Sequence, residues 1–183
     1  FLMGSKKYQL DRSVIYEFLL SLFRLENDEG MKLKQLDLEK EIKLEKEIVN
    51  WVEEKLTKIP ETKKKLIAKY FNEESYFGLC LVSEIPQLEL TTIEEYLEYL
   101  KTKEPADFIK RFTQSGYGPA PSENIDLKKV KQLINSEKEA AKFVNDKINL
   151  ASDQKWNLLQ FYFNPEIMKE EFIGLLEWYY EEL

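Results

Sequence analysis

The amino-acid sequence predicts an all-α fold, a bundle of roughly eight or nine short to medium helices with no sheet. Three observations carry this. Apolar residues recur at spacings of three and four through nearly every segment, helix-start signals stand just ahead of those stripes, and no stretch shows the alternating pattern framed by hairpin turns that strands need. At 183 residues a chain buries roughly 70% of the surface its unfolded form exposes, so neither disulfides nor a metal are required to hold a core. The expected organisation is a terminal remnant over 1–7 and one helical domain over 8–183, with a subdomain break at 115–125.

Ser13 opens the first stripe, with Ile15, Phe18, Leu19, Leu22 and Leu25 on one face and an expected stop between Asn27 and Gly30. From Asp37 the sequence is dense in Lys and Glu. There Leu44, Ile48, Trp51, Val52 and Leu56 share a face, and Glu39 with Lys43 and Glu54 with Lys58 are four apart, predicting a long helix that ends before Pro60. Pro60 suits the first position of a third helix carrying Leu66, Ile67, Tyr70 and Phe71. Ser75 to Ile85 is nearly all apolar, and periodicity cannot separate a buried helix from a buried strand. It is assigned as helix because no second strand exists to pair with it.

Thr91 with Glu94, or Thr92 with Glu95, forms the capping box that starts the next helix, bearing Ile93, Tyr96, Leu97 and Leu100. After Glu104-Pro105 come Phe108, Ile109 and Phe112, and then the loop Ser115-Gly116-Tyr117-Gly118-Pro119-Ala120-Pro121-Ser122. Asp126 starts a helix with Leu127, Val130, Leu133 and Ile134. Ser136 with Glu139 offers a second capping box ahead of Ala140, Phe143, Val144 and Ile148, so this region reads as two helices or one bent helix. Ser152 precedes a helix with Trp156, Leu159 and Phe163. Asn164-Pro165 then opens the last one, with Met168, Phe172, Leu175, Leu176, Tyr179 and Leu183.

Composition narrows the function. Acidic side chains outnumber basic ones, 34 to 27, for a net charge of −7, and every basic residue is lysine except Arg12, Arg24 and Arg111. Duplex binding draws on a basic excess and favours the arginine fork, so this chain is not a nucleic-acid binder by composition. With no histidine, the Ser-His, Cys-His, zinc-histidine and Glu-x-x-His arrangements are all excluded. Cys80, the single cysteine, lies in an apolar run and reads as a buried, inert thiol in a reducing cytosol. No apolar run approaches the roughly 20 residues of a membrane span, and no signal peptide is legible, so a cytoplasmic protein without membrane attachment is expected.

The carboxylate groups Glu53/Glu54, Glu94/Glu95/Glu98 and Glu170/Glu171 lie beside caps or on polar faces and read as solvated surface, since acid–base work needs a desolvated carboxyl. Gly116-Tyr117-Gly118-Pro119 follows a helix and lacks the Lys-Ser/Thr of a phosphate loop. The lysine runs at Lys63-Lys64-Lys65 and Lys128-Lys129-Lys131 sit on amphipathic helices as their wet faces, and no helix-turn-helix is present. No catalytic residue, metal ligand or cofactor is predicted.

Aromatic density is the least ordinary feature. Trp156, Phe161, Tyr162 and Phe163 fall within eight residues, and Trp178, Tyr179 and Tyr180 close the last helix. Core packing accounts for part of this. The remainder points to a subunit interface or an apolar pocket, and the candidate binding residues are Trp156, Phe163, Trp178, Tyr179 and Tyr180. The tight Asn164-Pro165 corner is expected to bring them together, with Trp178 flanking the apolar arc beside Gly174. Trp178→Ala is then expected to weaken association or ligand response, and Leu175→Ala to cost roughly 2 to 5 kcal/mol as a core truncation.

At Val14-Ile15-Tyr16-Glu17-Phe18-Leu19-Leu20-Ser21-Leu22, at the isolated Trp51, at Thr92-Ile93-Glu94-Glu95-Tyr96-Leu97-Glu98-Tyr99-Leu100, and from Leu158 to Tyr180 with its Asn164-Pro165 start, the chain resembles a known type. It is similar to the all-helical N-terminal region of ArsR-like winged-helix transcription regulators of Gram-positive bacteria. That resemblance implies a non-enzymatic regulatory domain that senses an effector, dimerises, or both. Its partners would be a second copy, a small apolar effector, and DNA only through a C-terminal domain that this chain does not contain. The winged helix is the main departure from the family pattern. Metal sensing is not carried over, because the Cys and His ligands are missing. The alternative is a stand-alone helical protein that binds another protein or a small ligand, and a carboxylate-dependent enzyme is a third reading.

Overall fold

In a computed structural model of the chain, the described residues are 14–35, 44–115 and 125–182. Among them every regular element is a helix: α1 (Val14–Gln35), α2 (Leu44–Lys58), α3 (Glu61–Tyr70), a 3-10 helix (Gly78–Gln87), α4 (Ile93–Thr102), α5 (Pro105–Ser115), α6 (Leu127–Ile134), α7 (Glu137–Lys147), α8 (Ser152–Phe163) and α9 (Pro165–Glu182). The expected start of the second helix at Asp37, the loop at 116–124 and the terminal remnant at 1–7 lie outside the described residues.

The predicted stripe of α1 is the buried one, with Ile15, Phe18, Leu19, Leu22 and Leu25 all in the core. Its predicted stop is a kink instead. Asn27 leaves helical geometry (φ −109°, ψ 22°), and helix resumes to Gln35. The Asn27 side chain accounts for the bend: its Nδ2 donates to the Phe23 and Phe71 carbonyls, both at 2.8 Å, and its Oδ1 accepts from the Glu73 amide at 3.1 Å. A buried amide thus satisfies the backbone where α1 meets the turn after α3.

The apolar run at 75–85 is helical as expected, in 3-10 form over Gly78–Gln87. Pro86 lies inside it and supplies no amide to an α-type ladder, and the segment closes with the three-residue bond from the Leu88 amide to the Ile85 carbonyl at 3.1 Å. Gly78 is required here, because a Cβ would stand 2.5 Å from the buried Phe71 ring.

The Thr92–Glu95 alternative forms the capping box of α4, both halves of it present. Asp126 caps α6 through the Lys129 amide, and Ser136 caps α7 through the Glu139 amide. That cap separates α6 from α7, and the described chain holds ten helical elements where eight or nine were expected. At α8 the cap is Ala151, with Ser152 already inside the helix. Asn164 serves both neighbours: its amide closes α8 on the Gln160 carbonyl (3.0 Å), and its carbonyl accepts the first α9 amide, from Met168 (2.9 Å).

Buried residues from α1 to α9 form a continuous core. At its centre Tyr70, Phe77, Phe112, Phe161 and Phe172 pack ring against ring, with centroids 5.0 Å apart for Tyr70–Phe172, 5.2 Å for Phe77–Phe161 and 5.3 Å for Phe112–Phe161. Each such pair adds roughly 0.5 to 1.5 kcal/mol beyond the area it buries. Helix α9 runs through this core against α3, α4, α5 and α8, whereas α8 packs on α5, α6, α7 and α9.

Candidate functional site

The five aromatics singled out in the sequence divide between two places. Tyr179 is buried, its ring 5.5 Å from Phe18. Its hydroxyl donates to Ser21 Oγ at 2.9 Å, while Ser21 donates onward to the Phe18 carbonyl at 2.7 Å, and burial raises the Tyr179 pKa. Tyr180 lies edge-on to Phe18 and donates to the Glu94 carboxylate, which is held below the usual carboxylate range by that bond. Trp178 is half-buried with the Lys63 ammonium 5.3 Å above its ring. The end of α9 is therefore latched to α1, α3 and α4. One turn back, Gly174 faces open space: nothing stands within 4 Å of where a Cβ would be.

Trp156 and Phe163 belong to the other place, on α8. At 100° per residue, Gln154, Leu158, Phe161 and Tyr162 cluster on one side of this helix, and all four are buried. Tyr162 shares a 2.7 Å hydrogen bond with Thr113, whose hydroxyl also reaches the Ile109 carbonyl at 2.7 Å. Directly opposite lie Trp156 and Phe163, flanked by Leu159 and Gln160. Trp156 is 58% exposed, Leu159 and Phe163 are half-buried, and Ile167, just past the corner, is 62% exposed. From Trp156 to Pro165 no residue is charged, in a chain where a third of all residues are. A helix apolar on both sides is normally covered on both. The corner thus leaves Trp156 on an outward face, with Phe163 beside it partly buried against the core, and places Trp178, Tyr179 and Tyr180 in contacts with α1, α3 and α4.

A third cluster was not expected from the sequence. Glu84 of the 3-10 helix accepts from Arg111 Nε at 2.6 Å, from Lys103 Nζ at 2.8 Å and from the Tyr99 hydroxyl at 3.4 Å. Lys103 also lies over the Tyr99 and Phe108 rings at 5.3 and 5.8 Å. The Glu84 and Lys103 side chains are only 13% and 9% exposed. Burial pushes the Glu84 carboxyl up, and the bonds and charges of Lys103 and Arg111 outweigh it, leaving its pKa below the ordinary value. Beside it the buried Tyr96 hydroxyl has no hydrogen-bond partner among the described residues, and burial raises its pKa, with the Glu84 and Tyr99 charges adding. Burial also pushes the Cys80 thiol up to about 11 against smaller opposing effects of Ser115 and Arg111. A carboxylate held ionised between two cations and a thiol held protonated are poor proton shuttles and poor nucleophiles at neutral pH. This cluster ties the 3-10 helix to α4 and α5. Its signal in the sequence was Glu84 itself, the one charge within the apolar run 75–85.

Several surface carboxylates engage caps, lysines or a tyrosine. Glu95 completes the α4 cap, Glu98 and Glu177 pair with Lys101 at 2.9 and 2.6 Å, and Glu171 takes Lys69 at 2.6 Å and the Tyr70 hydroxyl at 2.8 Å. No group of three or more Cys, Asp or Glu among the described residues is arranged to hold a metal ion, and none of the described helices is long and apolar enough to cross a membrane.

Comparison with known proteins finds no matching family model, curated sequence or solved structure. The geometry of the molecule therefore stands by itself. Of its three clusters, the outward side of α8 is the one that leaves a large apolar side chain, Trp156, more than half exposed, with Leu159 and Phe163 beside it partly buried against the core.

Proposed function

We propose that this chain is a non-enzymatic helical interaction domain that works through the outward face of α8, in a cytoplasmic regulatory setting. One observation carries the reading. Trp156 is 58% exposed on the side of α8 opposite the core, at the start of a stretch to Pro165 that holds no charged residue. Exposed apolar patches on otherwise charged surfaces mark interaction sites, and tryptophan is the residue type most enriched among those that dominate binding energy. The regulatory setting rests on the resemblance to the helical region of ArsR-like regulators, in which such a domain dimerises or senses while a neighbouring winged helix holds DNA.

Two experiments test this. Trp156→Gln, melted at low protein concentration, is expected to fold and melt with the wild-type protein, because an outward ring contributes little to the fold; a core-sized loss would refute the interaction face. For the regulatory setting, the genomic reading frame past Leu183 is decisive. A further roughly 60 to 90 residues with a helix-turn-helix pattern would support it, and a frame without them would leave the stand-alone interaction protein.

A further inference from the structure

We draw no further inference here: the strongest candidate, the surface patch around the exposed Trp156 on the outward side of α8, belongs to the site already described, and nothing in the structure shows what covers it.

Discussion

Helices α8 and α9 share a corner and nearly the same aromatic richness, yet they use it differently. Helix α9 passes between α3, α4, α5 and α8, burying Met168, Phe172, Leu175, Leu176 and Tyr179, and its remaining rings meet Lys63 above Trp178 and Glu94 at Tyr180. Helix α8 buries Leu158, Phe161 and Tyr162 on one side and sets Trp156 on the other. Aromatic density by itself does not mark a binding surface. Each helix packs on four others, so what separates them is the side those neighbours cover, and that is a property of the fold.

The comparison breaks first if the inner side of α8 is not core. Phe161→Ala and Phe172→Ala are each expected to cost about 3 to 5 kcal/mol by denaturant unfolding, as both rings are fully buried in the same cluster. If Phe161→Ala is mild while Phe172→Ala is severe, α8 does not pack as described.

A mostly buried carboxylate held by Lys103, Arg111 and Tyr99 sets the polar standard for the same contrast. Glu84→Gln strands Lys103 beside a neutral amide, and a loss of about 2 to 3 kcal/mol at neutral pH is expected, below the usual range for a buried pair because Arg111 is partly exposed. The pH dependence has a defined sign. The folded carboxyl has a lower pKa than the unfolded one, so its stabilisation is complete above the unfolded value near 4.3 and is lost as pH falls through the folded value. The gap in stability between wild type and Glu84→Gln should therefore narrow as pH drops below about 5. A gap constant with pH would show that the ion pair is not its cause.

Within α9, Trp178→Ala is expected to cost about 1 to 2 kcal/mol, for a half-buried ring and its contact with Lys63. Trp156→Gln on α8 should stay within about 0.5 kcal/mol. Equal losses for these two tryptophans in thermal melts would erase the distinction between the helices. The smallest effect has the opposite sign. Gly174→Ala, in mid-helix with nothing near the new methyl, should stabilise by about 0.5 to 1 kcal/mol, and a loss there would mean that a neighbour occupies that space.

Much of the fold was legible because its signals are local. The α1 stripe, the Thr92–Glu95 box, the Asp126 and Ser136 caps and the Asn164-Pro165 corner are each written within a few residues. The kink at Asn27 was not, because its cause is a bond to Phe71, 44 residues away. The 3-10 form of the apolar run depends on Pro86, legible in the sequence, and on the approach of Phe71 to Gly78, which is not. The candidate residues show the same limit. Helical phase alone places Tyr179 in the apolar arc, but no spacing rule states that Trp178 lies beneath Lys63, that Tyr180 reaches Glu94, or that Trp156 is left outside.

The most direct test of the account compares solvent access at the two tryptophans. Acrylamide is expected to quench the Trp156 fluorescence of a protein carrying Trp51→Phe and Trp178→Phe more strongly than the Trp178 fluorescence of one carrying Trp51→Phe and Trp156→Phe. Equal quenching, or stronger quenching of Trp178, would contradict the claim that α8 carries the exposed face.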